Sequence, residues 1–254
     1  MAHCLRVHYS IYYLKTLLER KDILKKILIA GYPELTKNYE DAVRALGSCP
    51  VTTLHVPDTA AYAGLILPGG GDIDPKLFGQ LKSGSRIIDP ELDRLQLAIL
   101  KSFVKDKKPV LGICKGMQLI NIFFGGDIYQ HLSAYERHQY DGQDKIHKTS
   151  ALTGSLLCQL YGKTFVVNSA HHQGVDTPGR GIRYIQSCND GVIEGLCHTY
   201  LPVIGVQWHP ERMCFQHKRQ DTADGSVLIN TFLLSAANRI PLAAAANFFS
   251  FSGS

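Results

Sequence analysis

The sequence predicts an α/β fold: a mostly parallel central sheet flanked by helices, with a smaller antiparallel β element in the second half. Three observations carry this reading. Over the first half, short apolar runs of strand length alternate with stretches of helical apolar spacing, the pattern of a parallel sheet covered on both faces. Two of the runs stop at glycine, one before Gly69-Gly70-Gly71 and one around Gly112, as strand ends in such sheets often do where a ligand binds. Beyond Gly126 the pieces become shorter and richer in β-formers, with Asn189-Asp190-Gly191 as a turn between two of them.

Taken in order, residues 1–26 read as an N-terminal extension with a helix over about 11–26, and the body occupies 27–240. Ile27 to Ala30 is a compact apolar strand; Gly31-Tyr32-Pro33 leads into a helix over 38–46 that Gly47 ends. Strands are expected over 51–56 and 64–67, the latter running into Pro68-Gly69-Gly70-Gly71-Asp72. Adjacent glycines are poor core material and mark a loop where backbone must approach something closely. The 90–104 stretch has helical apolar spacing, with Asp89 as N-cap and Pro90 at the first helical position. A buried strand over 109–113 and an apolar helix closed by Gly125-Gly126 follow. Strands are then expected over 146–149, 164–168, 182–187, 192–197 and 203–208, and a last body helix over 226–238. Residues 241–254 are a biased apolar tail.

Composition narrows the function classes. The chain has 254 residues, 45% hydrophobic and 19% charged, which suits a soluble globular protein with a sizeable core. A net charge of +5 without charge runs or interleaved aromatics argues against nucleic-acid binding. No stretch reaches the roughly 18 apolar residues of a membrane span, and Arg6, His8, Lys15, Glu19 and Arg20 break any signal-peptide core. The cysteines, Cys4, Cys49, Cys114, Cys158, Cys188, Cys197 and Cys214, are odd in number, scattered and without a C-x-x-C pair, which fits a reducing cytoplasm better than a disulfide framework. Eleven histidines invite a metal site, but no ligand spacing such as H-E-x-x-H occurs, so neither metal nor cofactor is expected.

The candidate chemistry centres on Gly112-x-Cys114-x-Gly116, the form of a nucleophile elbow with cysteine in place of serine. A thiol at a helix N-terminus meets the positive end of the dipole, which favours the thiolate, and the Lys115 N–H would face a carbonyl under attack. Alone, the motif equally describes a buried cysteine among packing glycines. A nucleophile needs a base and an orienter. His209-Pro210-Glu211 supplies both: a strand ends in histidine, Pro210 fixes a turn, and Glu211 folds back onto one ring nitrogen.

Four blocks then carry a resemblance: LILPGGGDIDP at 65–75, KPVLGICKGMQLINIFFGGDIYQ at 108–130, VNSAHHQGVD at 167–176 and DGVIEGLCHTYLPVIGVQWHPE at 190–211. In order and spacing they resemble the class I glutamine amidotransferase-like superfamily, of flavodoxin-like architecture, and within it the γ-glutamyl-γ-aminobutyrate hydrolase group, a cysteine peptidase family. The resemblance implies Cys114 as nucleophile, His209 as base and acid, and Glu211 as orienter. It implies an oxyanion hole from the Lys115 amide and an amide of Gly69, Gly70 or Gly71, the choice among these glycines staying open. Gln118 and the 169–173 segment, with Ser169, His171 and Gln173, would hold the ends of a γ-glutamyl group; from the residues alone, His171 and His172 read as ordinary loop polarity. The family's Arg-Asp-x-x-Glu before the cysteine strand is here Leu92-Asp93-Arg94-Leu95-Gln96, and Lys115 stands where arginine is frequent. The first departure bears on substrate preference; the second leaves a main-chain role intact.

The expected activity is cysteine-dependent cleavage of the γ-glutamyl amide of a small γ-glutamyl-amine, as in polyamine catabolism. Two alternatives stay open: a glutaminase delivering ammonia to a separate synthetase, and a non-catalytic γ-glutamyl-binding regulator. The expected partner is a small γ-glutamyl substrate, with a synthetase only under the first alternative. A homodimer stays open, and neither nucleic acid nor membrane is expected.

Overall fold

Parallel strands and helices alternate through the first half, as the apolar pattern requires. The structure, a computed structural model, describes residues 25–246. The helix expected over 11–26 lies almost wholly outside the described residues, as does the tail beyond 246. Strands β1 (Lys26–Ile29), β2 (Cys49–Thr52), β3 (Gly64–Leu67) and β4 (Val110–Ile113) are interleaved with helices α1 (Lys37–Ala45), α2 (Pro90–Lys105) and α3 (Lys115–Phe123). The second half adds β5 (Ile128–Tyr129), β6 (Lys145–Ala151), α4 (Leu156–Tyr161), β7 (Thr164–Ser169), β8 (Gly174–Val175), β9 (Ile182–Cys188), β10 (Ile193–His198), β11 (Val203–Val206), α5 (Gly225–Asn238) and α6 (Leu242–Ala246).

Nine strands form one sheet in the order β2-β1-β3-β4-β11-β10-β9-β6-β7. The five from β2 to β11 are mutually parallel, and the rest continue antiparallel. The antiparallel half is thus an extension of the main sheet, and among the described residues only β5 and β8 form a small ribbon apart from it. Side chains alternate across the pleat. Ile27, Ile29, Ile66, Leu111 and Ile113 point to the face covered by α1 and α5, meeting Val43, Leu228 and Phe232. Leu28, Leu65, Leu67 and Val110 point to the other face, meeting Ile99, Phe103, Met117 and Ile120 of α2 and α3.

Local signals act as their chemistry demands. Asp89 accepts a hydrogen bond from Leu92 N (3.0 Å) and caps α2, with Pro90 in its first turn. Strand β2 is displaced from the expected 51–56, because its ladder partner β1 ends at Ile29, whose carbonyl takes the last bond, from Thr53 N (3.1 Å). For the same reason β11 stops at Val206: β4 ends opposite it at Ile113, before the turn at Cys114. Helix α4, capped by Ser155, lies between two β-rich stretches where no helix was expected; six residues are too few to establish a period. Within the expected tail, α6 is a short helix, and its Leu242 packs on the core face shared with α5.

The consequence for function is positional. Strands β3, β4 and β11 lie side by side at the centre with Leu67 beside Gly112 and Ile113 beside Val206. The glycine loop, Cys114 and His209 each follow one of these strands, so three distant parts of the chain emerge at one edge. Among the described residues no helix is long and apolar enough to cross a membrane.

Gly116 is the tightest joint at this edge: a Cβ there would stand 2.1 Å from Leu67 O, a main-chain atom of β3 that cannot yield cheaply. Gly116→Ala is therefore expected to destabilise the fold by about 1–3 kcal/mol through overpacking. Urea denaturation of the variant checks this, and an unchanged midpoint would contradict the close approach.

Candidate active site

Cys114 sits at φ 52° and ψ −109°, a left-handed conformation that costs a non-glycine residue roughly 1–3 kcal/mol and persists only where the surroundings over-determine it. They do so here. Its N–H continues the parallel ladder to Val206 O (2.8 Å), and its C=O accepts from Met117 N (3.0 Å), closing the first turn of α3. Gly112 allows the return of the helix over the strand, since a Cβ there would lie 2.5 Å from Ile120 Cδ1 and 2.6 Å from Gly116 O. The thiol is nearly buried at the helix N-terminus, and the Lys115 N–H has no protein acceptor among the described residues.

His209 follows β11 and is also buried. Pro210 starts a single 3-10 turn, Pro210–Arg212, which returns Glu211 to the ring: His209 Nδ1 and Glu211 Oε1 are 2.8 Å apart. A carboxylate can only accept, so Nδ1 carries the proton and Nε2 is left to face the thiol side. Asn168, at the end of β7, fixes the backbone of His209 from both sides. Its Oδ1 accepts from His209 N (2.8 Å) and its Nδ2 donates to His209 O (3.2 Å). Asp144 in turn accepts from Asn168 Nδ2 (3.0 Å) and from Arg212 (2.9 Å).

Burial works against an imidazolium at His209, but Glu211 and then Cys114 outweigh it and lift its pKa to about 9. Burial likewise works against the Glu211 carboxylate, yet His209 and Arg212 hold its pKa below the usual carboxylate range. Glu211 and Cys114 thus favour a charged imidazolium beside the thiol. Such a set can attack a carbonyl carbon and carry a proton to a leaving group.

The glycine loop closes the site from β3. Gly69 lies against both His209 and Cys114: a Cβ there would stand 2.9 Å from the His209 Cε1 carbon and 3.4 Å from Cys114 Cβ. Its N–H is committed to the buried Tyr39 hydroxyl (2.9 Å). The N–H groups of Gly70 and Gly71 have no protein acceptor among the described residues.

The other residues expected to touch substrate are brought to the same region, with their side chains engaged by protein. Gln118 Nε2 donates to Gln173 O (3.1 Å) and Gln207 Oε1 (3.0 Å). Ser169 Oγ donates to His138 O (3.0 Å), and His171 Nδ1 to Gln173 O (2.9 Å). Gln173 accepts from Ile73 N (3.2 Å) and donates to Ser85 Oγ (2.9 Å). They form a hydrogen-bonded wall. His172 joins this wall to the glycine loop through Asp72 (2.9 Å). A recess of 390 Å³ opens beside it between Asn38, Tyr140, Ala170 and Arg212. A wider groove of 1230 Å³ lies at the opposite edge, among residues at the amino ends of the strands such as Lys26, Pro109 and Pro202, and contains none of these groups.

Sequence reasoning gave Lys115 a main-chain role alone, yet its side chain is buried and its Nζ lies 2.6 Å from Asp93 Oδ1. Asp93 Oδ2 accepts from Asp74 N (2.8 Å), so one carboxylate ties the elbow to the segment after the glycine loop. Gln96, another altered position, donates to Ala30 O (2.8 Å). Tyr39, Asn168 and Asp93 were missed as supports of the site; only Asn168 and Asp93 lay in stretches that drew notice.

Strand order, elbow and the three loops at one edge define the class I glutamine amidotransferase fold. A glutamine amidotransferase structure from Thermotoga maritima has it too, with a TM-score of 0.57 and 16% identity, covering 91% of this chain and 100% of that one. The chain belongs to the Peptidase C26 family, which it matches over residues 19–211, and is a hydrolase of that family. Protein YvdE of Lactococcus lactis, which carries a glutamine amidotransferase-like name, is 38% identical over 156 residues, 58% of this chain and 65% of that protein. The γ-glutamyl-γ-aminobutyrate hydrolase PuuD of Escherichia coli is 27% identical over 199 residues, 70% of this chain and 78% of that protein.

Two outcomes follow. Because the folded pKa of His209 lies above its ordinary 6.5, its pairing stabilises the fold fully below about 6.5, and the stabilisation is lost as pH rises through about 9. Histidine NMR should place the His209 titration near 9, and in Glu211→Gln it should move downwards; no movement would sink the ion-pair account. Separately, Asp93→Ala should cost about 3–5 kcal/mol by stranding a buried ammonium. The double replacement Asp93→Leu with Lys115→Met should recover part of that in urea denaturation.

Proposed function

We propose that the chain hydrolyses the γ-glutamyl amide bond of a small γ-glutamyl-amine, such as γ-glutamyl-γ-aminobutyrate, and releases glutamate and the free amine. The observation that carries this reading is His209, buried and clasped by Asn168, between Cys114 and Glu211. The family match and the kinship to PuuD support the substrate class.

In this mechanism the Cys114 thiolate forms a C–S bond with the amide carbon while the carbonyl π pair moves onto oxygen. The Lys115 N–H and the free amide of Gly70 or Gly71 stabilise that oxyanion, each such donor contributing roughly 3 kcal/mol. The oxyanion collapses, the C–N bond breaks, and His209 Nε2 gives its proton to the departing nitrogen. Water then attacks the thioester as His209 takes its proton; the C–S bond breaks and glutamate leaves. Glu211 keeps the tautomer throughout. The γ-glutamyl group sits against the wall built by Gln118, Ser169, His171 and Gln173, whose engaged side chains give it a fixed shape.

Cys114→Ala should fold normally and show only background hydrolysis across a panel of γ-glutamyl amides that includes glutamine and γ-glutamyl-γ-aminobutyrate. Retained turnover in that variant removes the nucleophile assignment. The amidotransferase-like name of YvdE supports a second reading, a glutaminase serving a separate synthetase. A wild-type protein active on glutamine alone, and only with a partner added, would favour it.

A further inference from the structure

Behind the wall of the site lies a buried cluster that the reaction does not use. Glu194 of β10, wholly buried, has one carboxylate oxygen surrounded by nitrogen and sulfur. His138 Nδ1, His147 Nε2 and His171 Nε2 each stand 3.5 Å from Glu194 Oε1, and Cys188 Sγ stands at 3.6 Å. For His138, His147, Cys188 and Glu194 the ligand-capable atoms all lie within 4.8 Å of one another.

Hydrogen bonding accounts poorly for this arrangement. Separations of 3.5 Å exceed the roughly 2.7–3.2 Å of N–H···O bonds. Protons are also in the wrong places. His138 Nε2 is 3.1 Å from Asp190 Oδ2, an acceptor only, so that nitrogen carries the hydrogen. In the neutral ring its Nδ1 then presents a lone pair to the carboxylate, 3.5 Å away. The Ser169 hydroxyl cannot mask it, since its hydrogen goes to His138 O. His171 repeats the pattern: Nδ1 serves Gln173 O, and Nε2, without a hydrogen-bond partner, faces Glu194. Both ring nitrogens of His147 and Glu194 Oε2 also lack partners.

The three distances to Glu194 Oε1, two of 3.5 Å and one of 3.6 Å, instead fit a coordination shell, and the remaining pairs among the four atoms lie within 4.8 Å. Ligand atoms about 2.0–2.3 Å from a tetrahedral ion stand roughly 3.3–3.6 Å from one another. We propose that His138 Nδ1, His147 Nε2, Cys188 Sγ and Glu194 Oε1 form a zinc-class divalent metal site, with His171 at its rim. A set of two imidazoles, a thiolate and a carboxylate suits Zn²⁺ and not Mg²⁺ or Ca²⁺. Binding forms two metal–nitrogen bonds, one metal–sulfur bond and one metal–oxygen bond, and the Cys188 thiol proton passes to solvent. The site is structural: four protein ligands close the shell, and it joins β6, β9 and β10 to the segment before β6. Through His138 O it also supports Ser169 and thereby the wall of the active site. Spacing conceals it, because the ligands come from four separate segments and none forms a short motif.

The test is metal binding in a Cys114→Ser background, which removes the thiol beside His209 as a competing ligand and reads out without activity. Chelator-treated protein is titrated with Co²⁺ and followed by its thiolate-to-metal charge-transfer absorbance. Metal per chain is then counted after loading with Zn²⁺ and dialysis. One ion per chain is expected, with a charge-transfer band that Cys188→Ser abolishes and an affinity that His147→Gln weakens at least tenfold. Zn²⁺ should also raise the melting temperature of the chelated protein, a reading that needs no further variant to fold. No band and no retained zinc, an unchanged melting temperature, or full binding by both variants would each overturn the site.

Discussion

The backbone at Cys114 is the constraint on which the rest depends. A left-handed residue between β4 and α3 reverses the chain so sharply that the helix must lie back over the strand that precedes it. That return is tolerable only where Gly112 and Gly116 leave the space for main chain and Ile120. Conformational strain of this kind relaxes unless its neighbours hold it. Here β3 and β11 flank β4 on both sides in parallel register, and the Cys114 N–H is held by Val206 O. The central position of β4 is therefore a requirement: an edge strand could hold the elbow from one side only. Because parallel strands point the same way, the loops after β3, β4 and β11 must then emerge together.

Electrostatics at that edge is a contest between desolvation and pairing. Burial alone would leave His209 neutral and Glu211 protonated. Direct contact between them reverses both tendencies, raising one pKa and lowering the other. The pair survives burial because further partners stand behind it, with Arg212 beside the carboxylate and Asp144 behind both Arg212 and Asn168. On the other flank, Lys115 and Asp93 meet the same problem with a single partner each and one main-chain donor from Asp74. A pair of that kind adds little net stability but punishes any shift of its members. It fixes where α3 begins, and so where the Lys115 N–H points.

What could be read from the sequence was what is encoded locally. Gly112-x-Cys114-x-Gly116, the triple glycine and His209-Pro210-Glu211 announce themselves because turn geometry dictates residue type over a few positions. The alternating strands and helices were equally legible, since both sheet faces must be covered. Supports made across the fold were not. Tyr39 binds Gly69 across 30 residues, and Asn168 binds His209 across 41; neither spacing leaves a pattern. The orientation of Gln118, Ser169, His171 and Gln173 was hidden for the same reason. Residue type indicates that a polar group can bond, while only packing decides whether the partner is substrate or protein.

That distinction bears on how the site keeps its shape. Gln118 of α3 donates to both Gln173 and Gln207, linking the cysteine's helix to the wall and to the residue two before His209. Gln207 N donates to Glu194 O (2.9 Å), so the path from the elbow to His209 also touches the strand carrying the buried carboxylate. Any displacement of β10 is thus felt at both Cys114 and His209. Under the proposed mechanism a thiol and an imidazole must be held within hydrogen-bond reach, and such a path serves that need, because misplacement by about 1 Å can cost on the order of a hundredfold in rate. The polar residues behind the site tie Cys114 and His209 to one framework.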